Sequence, residues 1–72
     1  LREVAVRDNW ICHLCGGVVP NRESRCRPLD PTIDHLIPLS AGGQHVPENV
    51  ALAHFICNSR RGARDIDDAR AA

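Results

Sequence analysis

Residues 32–58 read TIDHLIPLSAGGQHVPENVALAHFICN, and this stretch decides the fold. Thr32 to Leu39 is bounded by prolines and carries Ile33, Leu36, Ile37 and Leu39, a pattern that reads as an edge or hairpin strand. Ala41-Gly42-Gly43-Gln44 supplies a turn or loop. Asn49 to Ala53 reads as a second short strand, and His54 to Ala63 as a helix that ends near Gly62. Two short strands followed by a helix define a small α+β unit over 32–63.

Upstream, Leu1, Val4 and Ala5, with Val6 and Trp10 less regularly placed, oppose Arg2, Glu3, Arg7 and Asp8, so a short amphipathic helix is expected over 1–10. Residues 11–19 read as a knuckle: a strand, the pair Cys12 and Cys15, a Gly16-Gly17 turn and a Val18-Val19 return. Pro20 to Pro31 is polar, punctuated by proline, and reads as a surface loop holding Arg22, Arg25 and Arg27. Downstream, 64–72 is a tail, weakly amphipathic from Ile66. One domain over 1–72 is expected, and a chain that begins with Leu1 reads as a fragment of a longer one. No apolar run approaches a membrane span, the longest being Val50 to Ala53, and no signal segment follows Leu1, so a cytoplasmic setting is expected.

The core promised by this composition is thin. Aromatic residues are 3% of the chain, namely Trp10 and Phe55, and Met and Tyr are absent. A chain of this size rarely draws more than ~3–5 kcal/mol from a single core, so a staple is required: disulfides, a metal or a partner. The 4 cysteines, at positions 12, 15, 26 and 57, would allow two disulfides by number. However, Cys12-x-x-Cys15 without a secretory signal favours metal binding or thiol redox chemistry, and the Gly-Gly turn after it favours zinc. A second pair of equal spacing, His54-x-x-Cys57, opens the expected helix. Cys12, Cys15, His54 and Cys57 would together offer zinc three sulfurs and one nitrogen, joining the first third of the chain to its last helix. Cys26 and His13 compete for the fourth position. Cys26 stands alone in a loop, and His13, between the two cysteines, would point away from a shared ion.

The ordered residues Asp34-His35, Pro38-Leu39, Gly42-Gly43, Asn49, Cys57-Asn58 and Arg61 resemble the HNH endonucleases, a family with a ββα-metal, treble-clef-like fold. The likeness covers most of Trp10 to Gly62. His54 stands where Cys is more usual in the second zinc pair, and Asn58 stands where many members carry the last His, the HNN form of the motif. The resemblance implies a small α+β, metal-stapled nuclease domain with an N-terminal helix and a structural zinc knuckle. It also implies 5′-phosphate and 3′-hydroxyl products through one metal ion.

The chemistry suits those residue types. Hydrolysis of a phosphodiester needs a base to activate water and a hard cation for the developing charge. His35 is the expected general base. Asp34 and Asn58 are expected to hold Mg²⁺ or Mn²⁺ through a carboxylate and an amide oxygen. Asn49 is expected to bond backbone across the loop and help orient His35. Arg61, with Arg60 beside it, is expected to hold the phosphate, and Arg64, Arg22, Arg25 and Arg27 to contact nucleic acid. Net charge is zero, which is unusual for a DNA-binding domain, but arginines outnumber acids between Arg22 and Arg64. Weak affinity for double-stranded DNA follows, with specificity left to flanking domains or partner proteins. Arginine-only basic residues hint at a GC-rich bacterial or phage genome. The alternative is a non-catalytic zinc-knuckle module that binds DNA or protein on the same scaffold, and a thiol oxidoreductase is more remote.

Overall fold

The computed structural model describes residues 1–62; the expected 64–72 tail and Arg64 lie outside the described residues. Among the described residues the regular elements are α1 (Arg2–Arg7), β1 (Pro31–His35), β2 (Val50–His54) and α2 (Phe55–Arg61). Single 3₁₀ turns at Leu39–Ala41 and Pro47–Asn49 lie between the strands. β1 and β2 pair antiparallel, from Pro31 opposite His54 to His35 opposite Val50. A two-stranded sheet followed by α2 gives a small α+β architecture consistent with the ββα-metal fold.

α1 is shorter than the helix expected over 1–10. Asn9 and Trp10 both take positive φ, 56° and 54°, which turns the chain out of the helix. The amides of Asp8, Asn9 and Trp10 bond back to Val4, Val6 and Ala5, closing the helix end. The chain then enters the knuckle, where Ile11 and Val18 form a bridge and Gly16 turns at φ 77°. β1 also stops early, at His35 rather than Leu39. Leu36 N–H adds one more rung to Asn49 O, and then Pro38, which has no N–H, ends any ladder. Gly43 folds back there, its N–H donating to Pro38 O, and a Cβ at Gly43 would collide with the Ile37 carbonyl.

All five residues of β2 are buried. Its outer edge is covered by the N-terminal segment: Leu52 N–H donates to Asp8 Oδ2 at 2.9 Å, and Leu52 O accepts from His13 N–H at 2.9 Å. Arg7 reaches Pro47 O and Val50 O on the same side. The core is Ala5, Cys12, Val19, Leu52 and Ala53, bordered by Val4, Trp10, Leu14 and Cys57. It is as small as the composition requires. Among the described residues, no helix is long and apolar enough to cross a membrane.

The arginine loop is exposed throughout 21–29 yet organised around one buried carboxylate. Asp30 is fully buried and accepts from Arg22 Nε and Arg25 N–H at 2.7 Å, Arg27 N–H at 3.1 Å and Arg27 Nε at 3.2 Å. Asp30 O and Pro28 O accept the first amides of α2, from Phe55 and Ile56. Burial alone would raise the Asp30 carboxyl, but the hydrogen bonds from Arg25, Arg22 and Arg27 outweigh it and hold it well below the usual carboxylate range. A group depressed on folding contributes stability above its unfolded pKa and loses it as pH falls toward the folded value. Asp30→Asn is therefore expected to lower Tm at pH 7 and to narrow its gap to wild type as pH falls below about 4. Thermal melts of both proteins across pH 2–7 check this. A gap independent of pH would remove Asp30 from the acid response.

Candidate functional site

Two groups of side chains stand out, and both draw residues from α2. In the first, Cys12 and Cys15 come from the knuckle, His54 from the end of β2 and Cys57 from the first turn of α2. Their ligand atoms all lie within 4.8 Å of one another, and all four cysteines of the described chain are free thiols. His54 Nδ1 lies 3.3 Å from Cys15 Sγ and 3.7 Å from Cys57 Sγ. A tetrahedral zinc with ordinary Zn–S and Zn–N bonds needs such pairs about 3.5 Å apart. His54 Nε2 donates to Val18 O at 2.9 Å, which leaves the Nδ1 lone pair aimed at the cluster. The His54 backbone N–H donates to Cys12 Sγ, and the Gly17 N–H to Cys15 Sγ.

These four residues could therefore hold a zinc ion. Their thiols are already polarised against one another. Burial pushes Cys12 up, yet hydrogen bonds from the backbone of Cys15, His54 and Leu14 bring it down to about 7. Cys57 is pushed up to about 12 by burial and by the neighbouring Cys12 charge. A dication at the centre would reverse that repulsion. Cys26 is exposed on the arginine loop and stands apart from the cluster.

The second group lines a cleft of about 180 Å³ bounded by Asp34, His35, Pro38, Leu39, Asn58, Arg61 and Gly62. The end of β1 supplies Asp34 and His35, the following loop Pro38 and Leu39, α2 Asn58 and Arg61, and Gly62 follows the helix end. Asn58 and Arg61 share a face of α2 because they are three residues apart. Asp34 is buried, with Oδ1 accepting from Arg61 Nη1 at 2.6 Å and Oδ2 facing His13 Nε2 at 2.7 Å. His35 is half-buried, and its Nε2 lies 2.9 Å from His45 Nδ1. Asn49 holds the intervening loop: Oδ1 accepts from Ile37 N–H, and Nδ2 donates to Ile37 O and Gln44 O. Its own backbone carbonyl takes the amide of Leu36, next to His35.

Arg61 departs from the role its charge suggested. Rather than projecting toward a phosphate, it is 2% exposed, and its guanidinium donates to Asp34, to His35 O at 2.5 Å and to Leu36 O at 2.6 Å. Those carbonyls lie where β1 leaves the ladder and would otherwise be unpaired. Arg60 is exposed beside it. Arg22, Arg25 and Arg27 belong to a loop clipped to the opposite end of α2, near Pro31, roughly 13 Å along β1 from His35 at the usual strand rise. Arg22 and Arg27 spend one donor each on Asp30 and stay about half exposed. Sequence reading did not foresee two contacts: His13 with Asp34, and His45 with His35. The alternation that turns His13 away from the cysteines was the available signal for the first. The second depends on how the loop closes, and nothing local encodes it.

A family model described as HNH endonuclease matches residues 12–64, which spans both groups. No curated protein and no solved structure matches the chain.

Proposed function

The chain belongs to the HNH endonuclease family, and on that premise we propose that it is a metal-dependent endonuclease or nickase that hydrolyses the phosphodiester bonds of DNA. The observation that carries this reading is the cleft itself, which gathers Asp34, His35 and Asn58 around one space. His35 acts as the general base, taking a proton from the attacking water. Asn49 keeps the loop closed behind it, so the strand end that presents His35 does not shift. Asp34 and Asn58 offer one carboxylate and one amide oxygen, a hard donor pair suited to Mg²⁺ or Mn²⁺. Each Asp34 oxygen has one protein partner and keeps a lone pair for such an ion. A divalent cation there would supply charge compensation for the phosphate and the departing oxygen.

Because Arg61 is committed to the interior, phosphate contact falls to Arg60 and, farther away, to Arg22, Arg25 and Arg27. Double-stranded DNA is the proposed substrate, with specificity supplied by flanking segments or partners and a bacterial or phage-infected cytoplasm as the setting. Purified zinc-loaded protein is expected to nick supercoiled plasmid with Mg²⁺ or Mn²⁺ and to stop when the divalent ion is withdrawn. His35→Ala is expected to lower the rate at least ~10²-fold with an unchanged fold. Intact plasmid with folded wild type across a series of ions, or equal nicking by His35→Ala, would leave a zinc-knuckle module that only binds.

A further inference from the structure

We propose that His13 is a positioning residue for Asp34, through which the zinc knuckle sets the geometry of the cleft; this rests on Asp34 being a ligand of the divalent ion. His13 occupies an unusual place. It lies between Cys12 and Cys15, so its backbone belongs to the turn that would wrap zinc. Its side chain faces the other way, is 8% exposed, and puts Nε2 2.7 Å from Asp34 Oδ2. Its backbone N–H donates to Leu52 O on the outer edge of β2. One residue therefore grips both strands, β2 through its amide and β1 through its ring. Ala51, adjacent to Leu52, is the register partner of Asp34, so the two grips lie almost opposite each other across the sheet.

The consequence for Asp34 is geometric. Arg61 Nη1 holds Oδ1 from α2, and His13 Nε2 holds Oδ2 from the knuckle. Two donors on different oxygens, arriving from different elements, fix both the rotamer and the plane of the carboxylate. The lone pairs left over then point in a set direction. Partners of this kind behind a ligating carboxylate commonly govern metal affinity by 10–100-fold. Arg61 reaches Asp34 from the end of α2, one turn beyond Cys57. His13 depends directly on the turn between the cysteines. A change in the path of that turn, with the domain still folded, moves the His13 ring and loosens one side of Asp34.

The test measures Mn²⁺ binding by electron paramagnetic resonance on the zinc-loaded chain, with zinc content and Tm recorded beside it. His13→Ala is expected to keep its zinc and to bind Mn²⁺ at least about 10-fold more weakly. His13→Gln, whose amide N–H reaches nearly as far as Nε2–H, is expected to recover most of the affinity. The wild-type protein supplies a measurement that needs no variant: side-chain ¹⁵N spectra are expected to show the proton of His13 on Nε2. Mn²⁺ affinity unchanged in His13→Ala, failure of His13→Gln to recover it, or a bare Nε2 in the wild type overturns the proposal. Asp34→Ala is the separating control. If it binds Mn²⁺ like the wild type, Asp34 is not a ligand, and the proposal falls with that assignment rather than through His13.

Discussion

Stripping zinc from the loaded chain is expected to abolish its cooperative unfolding transition, the largest effect foreseen for this protein. The physical case is the imbalance between core and staple. Among the described residues the core cluster is Ala5, Cys12, Val19, Leu52 and Ala53, in which Val19 and Leu52 are the sizeable aliphatics. Structural zinc contributes on the order of 10 kcal/mol of apparent folding free energy in small domains, more than such a core can supply. Without the ion, burial and the Cys12 charge keep Cys57 in its neutral thiol form, so the metal-free cluster contributes none of the ligand bonds that would tie the knuckle to α2. Cys57→Ser is expected to act like the chelator, because it removes a ligand at the junction of sheet and helix. Far-ultraviolet circular dichroism during a thermal ramp, with and without a zinc chelator, reads the result. A metal-free chain that still melts cooperatively near the loaded Tm would show that packing alone suffices.

Arg61→Ala is expected to cost about 3–5 kcal/mol, the usual penalty for deleting one partner of a buried ion pair. The substitution leaves Asp34 buried with only His13 on its carboxylate and returns the His35 and Leu36 carbonyls to an unpaired state. Arg61→Lys is expected to recover only part of the loss, since one ammonium cannot reproduce a planar fork shared among three acceptors. Denaturant unfolding of the zinc-loaded proteins measures both. An Arg61→Ala protein as stable as wild type would return Arg61 to the phosphate-binding role that its charge first suggested.

Much of this architecture was legible in the chain, and the reasons are local. β2 and α2 stood out because Val50 to Ala53 is an unbroken apolar run and His54-x-x-Cys57 has the spacing of a ligand pair. The Cys/His quartet followed from two such pairs of equal spacing. The end of β1 was not legible, since Ile37 and Leu39 continue an apolar pattern that Pro38 and the approach of Gly43 override. Nor was the inward turn of Arg61. Charge suggests a phosphate, but burial was decided by carbonyls that lose their ladder partners only once the strand stops. His13 shows the same limit. Alternation gave its direction away from the cysteines, but its partner lies twenty-one residues later on β1, and only the folded sheet brings the two together.

The zinc quartet also bears on the route by which the chain folds. Cys15 and His54 are 39 residues apart, whereas β1, β2 and α2 follow one another within residues 31–61. Contacts inside that shorter segment close small loops, helped by Asn49 tying its own connection together, and so cost less chain entropy. The hairpin and α2 are therefore the natural nucleus. They would present His54 and Cys57 as a half-built claw, with the knuckle captured last. The speed of that final step would then follow the supply of free zinc as well as the chain's own diffusion.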